Sequence, residues 1–312
     1  MKTLSRSHVI TAASALVVAP RFLTAQPLEK IRLGGAATDD LTPVIYAIKH
    51  GLYKKAGLDV EYIPTSSGTA ATTAVISGEY EMGKGSLIAS LTAHLRGLPL
   101  RVAANGGIWD PAAPFTSFFV AADSPIKTAA DLNGKIGAVS GLNDLNQLAL
   151  SMWMDKNGGD SKTMKFLEIP NSAMATALAE HRVDVGGINE PELTAAREAG
   201  KVRILAPCYS AIADRFVVTL FFTNRDWAAK HPDALNRWIR TTYEAATYTN
   251  AHRAETVPLV SEITKIPPEI IQKISRVLCA TSSDFSLLQP AIDAAAKYKS
   301  ITSGFPAKDL FS

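Results

Sequence analysis

The sequence predicts an α/β protein of two Rossmann-like lobes, joined by two crossover strands and finished by a helical tail. Three observations predict it. Strand and helix alternate from residue 30 onward, the same alternation returns about a hundred residues later as a recognisable copy, and nearly every segment after Asp226 has helical spacing. KIRLGGA (30 to 36) reads as a buried strand. Thr42 and Pro43 then supply an N-cap and a proline at the first helical position, opening VIYAIKHG, which Gly51 closes. LDVEYI (58 to 63) alternates apolar and polar residues with the period of a strand. TSSGTAATTAVISG (65 to 78) sets hydroxyls and glycine before a small Ala/Thr-rich helix that Gly78 ends. YEMG (80 to 83) is the next short strand, and Lys84, Gly85 and Ser86 form the turn after it. Leu87, Ile88, Leu91 and Leu95 give the following helix its apolar stripe until Gly97, and LRVAA (100 to 104) is strand again. This rhythm is that of a parallel sheet with helices on its faces.

The second lobe repeats the first. FLEIPNSAMATALAEHRVDVGGINEPELTAAREAGKVRILAP (166 to 207) can be laid beside VEYIPTSSGTAATTAVISGEYEMGKGSLIASLTAHLRGLPLRVAA (60 to 104). Both run strand, Ile-Pro, polar cluster, Ala/Thr helix, strand ending in glycine, helix, glycine and basic strand. TSFFVAA (116 to 122) and RFVVTLFFTN (215 to 224) are β-rich and placed to be the crossovers. The tail segments HPDALNRWIRTTYEAATYTN, PPEIIQKISRVL and SLLQPAIDAAAKY have proline or aspartate starts and should return to pack on the first lobe. Lobe one is therefore expected at 29–118 plus 222–312, and lobe two at 119–221.

Residues 1–25 are expected to be an export signal. Lys2 and Arg6 form a positive start, VITAASALVVA is an apolar run too short to span a bilayer, and Ala25 is a small residue at which cleavage could fall. Removing that segment takes away Lys2, Arg6 and Arg21 and no acid, so the 32 basic side chains lose three and balance the 29 acids. A neutral chain without a basic run offers nothing to nucleic acid or to an anionic membrane. Cys208 and Cys279 are the only cysteines; they could pair in an oxidising compartment or stay as buried thiols. GEYEMGKG (78 to 85) matches the spacing of a phosphate-binding loop, yet Gly85 stands where a metal-holding hydroxyl belongs, and the residues between its glycines read as strand. No metal-ligand spacing and no catalytic triad spacing is present, and no cofactor is expected. What remains is a run of hydroxyls and glycines at successive helix starts, where unsatisfied amides and helix dipoles gather around a polar or anionic guest.

GLYKKAGLDVEYIPTSSGTAATTAVISGEYEMG resembles the ABC-transporter substrate-binding proteins of the nitrate, sulfonate and taurine type, which share an architecture with thiamine-pyrimidine synthases. The resemblance continues through DLNGKIGAVSG (131 to 141), VDVGGINEP (183 to 191) and NRDWAAKHPDAL (224 to 235). It implies a type II periplasmic binding fold that closes on a small molecule. Its implied partners are that ligand and an inner-membrane permease with its ATPase; its implied state is a periplasmic monomer without catalysis. Carried over position by position, the ligand site would use Thr38, Asp39 and Asp40 after the first strand, Ser67, Gly68 and Thr69 before the second helix, and Lys84, Gly85 and Ser86 after the third strand. Trp109 either walls the pocket or covers the core. The second lobe would add Ser140, Asn143, Asn171 with Ser172, Asn189 and Glu190. Lys84 departs from the small neutral residues usual there and suggests an anionic, sulfonate- or carboxylate-like ligand, set against the opposite pull of Asp39, Asp40 and Glu190. The alternative on the same architecture is an enzyme of thiamine-pyrimidine or menaquinone biosynthesis type, whose pyrimidine branch relies on a cysteine-rich motif absent here.

Overall fold

A computed structural model describes residues 27–311. The expected export signal, residues 1–25, lies outside them. In chain order the first part holds β1 (Glu29–Gly35), α1 (Thr42–Lys49), α2 (Leu52–Lys55), β2 (Leu58–Pro64), α3 (Gly68–Ile76), β3 (Met82–Ser86), α4 (Leu87–Leu95), β4 (Leu100–Asn105) and β5 (Gly107–Trp109). The second holds β6 (Thr116–Ala121), β7 (Ile136–Val139), α5 (Leu145–Lys156), β8 (Lys165–Glu168), α6 (Asn171–Ala179), β9 (Val185–Asn189), α7 (Glu192–Glu198) and β10 (Val202–Pro207). The return comprises β11 (Phe216–Val217), β12 (Thr219–Asn224), α8 (Arg225–Lys230), α9 (Pro232–Ala251), α10 (Val257–Thr264), α11 (Pro268–Ile271), β13 (Leu278–Cys279) and α12 (Gln289–Lys297).

Two five-stranded sheets result, in the orders β2-β1-β3-β12-β4 and β10-β6-β9-β7-β8. Each is mixed where the sequence rhythm suggested parallel strands alone. β12 runs antiparallel to both β3 and β4, and β6 runs antiparallel to both β9 and β10. The two crossover segments are thus sheet members: β6 sits inside the second sheet with every residue buried, and β12 inside the first. Equivalent strands of the repeat hold equivalent places, since β2-β1-β3 and β8-β7-β9 are both parallel. A small third sheet, β11-β5-β13, ties the tail to the start of the second crossover.

Pairing with β12 also moves one boundary. Lys84, Gly85 and Ser86 lie opposite Phe221, Leu220 and Thr219, so β3 extends through the three residues expected to form a turn. The long amphipathic α9 buries Leu235, Trp238, Ala245 and Ala246 against the first sheet's helical layer, where Trp238 meets Phe221 edge-on and Tyr53 in parallel. The tail therefore covers the first lobe, as its apolar spacing suggests.

Two glycines decide how close α3 can come to β3. A Cβ added to Gly68 would stand 2.8 Å from the Gly85 Cα and 3.2 Å from the Ser86 nitrogen, both backbone atoms that no rotamer change can move. The helix start therefore rests directly on the strand end. Gly68→Ala should destabilise the fold by about 1–3 kcal/mol through overpacking, read as a lowered urea midpoint at unchanged slope.

Candidate functional site

A cavity of about 570 Å³ lies where the carboxyl ends of β1, β2 and β3 face those of β7, β8 and β9. That is where open α/β sheets place their ligand sites. On the first-sheet side its lining includes Thr38, Asp39 and Asp40, then Ser67, Gly68 and Thr69, then Lys84, Gly85 and Ser86. On the second-sheet side it includes Ser140, Asn171, Ser172, Asn189 and Glu190. Trp109 and Asn143 do not line it. Trp109 is fully buried behind the wall, edge-on to Phe115 and Tyr209 at ring separations of 5.9 and 5.5 Å, and it is those two rings that line the space. Of its two sequence readings, core cover is the one observed. Asn143 is spent on local geometry, with a left-handed φ of 61° and its backbone N–H donated to Gln147 Oε1 at 2.7 Å.

Several expected ligand contacts are engaged within the protein. The Ser67 hydroxyl accepts from the Ala70 N–H at 3.2 Å and caps α3. Ser140 donates to Asp144 Oδ2 at 2.8 Å, while Asp144 Oδ1 accepts from the Gln147 N–H at 2.9 Å and caps α5. Glu190 does the same for α7, taking the Thr194 N–H at 3.0 Å and the Thr194 hydroxyl at 2.8 Å.

The cavity floor is a pair of adjacent buried carboxylates with separate counter-charges. Lys84 reaches Asp40 Oδ1 at 2.6 Å and also donates to the Thr38 hydroxyl; Thr38 and Thr219 each donate to Asp40 at 2.6 Å. Lys84 and Asp40 are each only 4% exposed. Burial pushes the Asp40 carboxyl up, but the Lys84 charge and the hydrogen bonds from Lys84, Thr219 and Thr38 outweigh it and hold the group below its ordinary value. Asp39 faces the other way. It accepts from Arg276 Nε at 2.7 Å, from the Val277 N–H at 2.8 Å and from the Thr42 hydroxyl at 3.0 Å. Lys84 is thus not the free cation that its departure from the usual small neutral residues suggests.

The second-sheet wall is different in character. Burial raises the carboxyls of Asp144, Glu190 and Glu192, that of Glu190 to about 7 against the Thr194 bonds and a backbone bond from Ser275. Four buried side-chain atoms of the lining have no hydrogen-bond partner: Ser86 Oγ, Asn171 Oδ1, Asn189 Oδ1 and Glu192 Oε2. Asp144, Glu192, Tyr209, Thr219 and Arg276 escaped the sequence reading. Asp144 had a signal, an acidic residue immediately before the apolar spacing of α5, whereas Arg276 meets Asp39 across 237 positions of chain with no local signature. Cys208 and Cys279 are free and buried, and neither lines the cavity.

Two duplicated α/β sheets facing each other across a polar cavity define the two-lobed fold of the periplasmic binding proteins. The chain belongs to the NMT1/THI5-like family, whose model matches residues 38–256. It is 22% identical over 233 residues to a protein of Brucella abortus (strain 2308) named as a binding protein, an alignment covering 70% of this chain. The chain spans 66% of the length of that relative. Among solved structures it is similar to the periplasmic aliphatic sulphonate-binding protein SsuA of Escherichia coli, with TM-score 0.71, 19% identity, and 90% of this chain and 91% of that one covered. It is also similar to the periplasmic nitrate-binding protein NrtA of Synechocystis PCC 6803, with TM-score 0.76, 15% identity, and coverages of 91% and 85%. A ligand-binding component of an ABC-type import system from Staphylococcus aureus superposes with TM-score 0.79 at 13% identity, over 91% of this chain and 98% of the other. These likenesses are in fold.

Two outcomes follow for the site. Lys84→Met leaves Asp40 buried without its counter-charge and should cost about 3–5 kcal/mol in chemical denaturation, while the double variant Lys84→Met/Asp40→Asn should recover most of that loss. Glu190 is held neutral in the folded state to a higher pH than in the unfolded chain. Its contribution is therefore complete below about pH 4.5 and is lost as pH rises through about 7. Glu190→Gln should accordingly stabilise the protein at pH 8, by up to about 3 kcal/mol, and change little at pH 4, as read by melting temperature across that range.

Proposed function

We propose that the protein is the solute-capturing component of an ABC importer, exported to the periplasm by residues 1–25 and handing a small organic ligand, as a monomer, to a membrane permease with its own ATPase. One observation carries the reading: the cavity draws its polar lining from the strand ends of two sheets of one topology, so each lobe supplies half the contacts. A guest that touches both halves favours their approach, because the contacts of one lobe alone bind it less well. Hinge motion belongs at the chain crossings before β6 and before β12, where Phe115 and Val218 line the cavity. The lobe boundaries expected at 118/119 and 221/222 each move three residues earlier, because β6 belongs wholly to the second sheet and β12 wholly to the first: lobe one is read as residues 29–115 plus 219–312 and lobe two as 116–218.

The family and the fold of the named neighbours support this reading. No helix among the described residues is long and apolar enough to cross a membrane. Neither thiol lines the cavity, which leaves the biosynthetic-enzyme alternative without the cysteine chemistry of its pyrimidine branch. The ligand polarity expected from Lys84 is not retained here, because Asp40 already neutralises that ammonium.

The test is a thermal-shift screen of the full chain against small organic acids, sulfonates and amines, with small-angle scattering on each hit. A ligand at a hundred times its dissociation constant should add about 2.7 kcal/mol of stability and reduce the radius of gyration. Ser67→Trp and Ser140→Trp, on opposite walls, should each abolish both responses. A hit that survives both substitutions would place binding elsewhere and end the reading.

A further inference from the structure

Five consecutive residues of the tail, Lys273 to Val277, hold both lobes at once. On the lobe-one side Ile274 packs with Val257, Val260 and Ile271, while Arg276 Nε and the Val277 N–H donate to Asp39 at 2.7 and 2.8 Å. On the lobe-two side Lys273 Nζ donates to Glu198 Oε2 at 2.6 Å, and the Ser275 N–H reaches the Glu190 carboxyl. Glu198 ends α7 and Glu190 caps its start, so the segment holds one helix of the second lobe at both ends. Both elements that the segment joins, α11 and β13, belong to the tail, so its lobe-two contacts are additional to the connection.

The attachments differ in how easily they let go. Arg276 and Asp39 are both buried, and removing one partner of a buried pair strands the other charge, so that end is fixed. The Lys273 and Glu198 side chains are 53% and 49% exposed, so water and salt compete for their contact. Glu198 also stands at the end of α7, where a negative charge is unfavourable, and Lys273 offsets it from the other lobe. An exposed pair adds little to the stability of a whole fold. The balance between two arrangements of the lobes is itself small, however, and there a bias of about two- to fivefold is felt.

We propose that residues 273–277 are a strap between the lobes, fixed at Asp39 and releasable at Glu198, which favours their approach before any guest arrives and loosens as salt rises. The strap rests on the cleft-capture reading above and adds a regulation to it. A chain with the strap released spends less time in the arrangement that meets a guest from both sides, so its apparent affinity falls with that fraction.

Electron–electron distance measurement on the full chain without any guest tests it. Nitroxide labels go on Glu61→Cys and Lys165→Cys, exposed positions of β2 and β8 at the outer edges of the two sheets, since Cys208 and Cys279 are buried. Lys273→Met and Glu198→Gln should each lower the ratio of near to far label pairs by about two- to fivefold at low salt. The two together should do no more than either alone, and the exchanged pair Lys273→Glu/Glu198→Lys should restore most of the parent ratio. About 1 M salt should shift the parent the same way and leave Lys273→Met where it is. Identical distributions for the parent, Lys273→Met and the parent in high salt would overturn the strap, as would two single effects that simply add. The scattering response to ligands is read separately. If a ligand compacts the protein while the labels ignore both substitutions, the strap falls and cleft capture stands; if the labels respond and no ligand compacts the protein, capture falls and the strap stands.

Discussion

Two neighbouring carboxylates, Asp39 and Asp40, organise the floor between the lobes, and each must be neutralised from a different direction. Leaving either one buried and unpaired would cost several kcal/mol, a large share of the stability of an ordinary domain. Asp40 draws in Lys84 from β3 and Thr219 from β12, and Asp39 draws in Arg276 and the Val277 N–H from the tail. A strand end, a crossover and the far C-terminal region therefore meet at one point because two charges require it. The remaining packing follows from that meeting, with α9 laid over the first sheet and β13 paired to β5.

Much of this architecture is legible in the chain. Strand and helix periods, the Gly and Pro punctuation and the repeated Ile-Pro segments give the order of elements and their duplication. The signals are local and physically direct: a proline at the first turn of α1, and glycines of positive φ after α3 and α4. The antiparallel insertions of β6 and β12 are not local. Their runs of apolar residues say that they are buried, not in which direction they pair, so a parallel sheet was the natural but incomplete reading. The extension of β3 through Ser86 has the same origin, because the partner that makes those residues a strand lies more than a hundred positions away.

The site is legible as a place more than as a chemistry. Hydroxyls and glycines after strand ends mark the cavity lining, and residue after residue chosen on that ground faces it. What they do there depends on partners that spacing cannot reveal. Lys84 looks like a free cation until Asp40 is beside it, the Ser140 hydroxyl like a ligand donor until Asp144 accepts from it, and Trp109 like a stacking wall until Phe115 and Tyr209 stand in front of it. Polarity of the guest is decided by which charges are left over after these internal pairings. That remainder is a property of the folded molecule.

The reach of Arg276 to Asp39 bears on the order in which the molecule can assemble. Any chain that emerges from its N-terminus presents Asp39 early, with its counter-charge 237 positions behind. The first lobe cannot settle its floor until almost nine-tenths of the described chain has followed. Such long-range closure slows folding, since the entropy of closing a long loop is spent before the contact rewards it. A single arginine near the end of the chain thereby makes completion of the cavity floor wait for the tail.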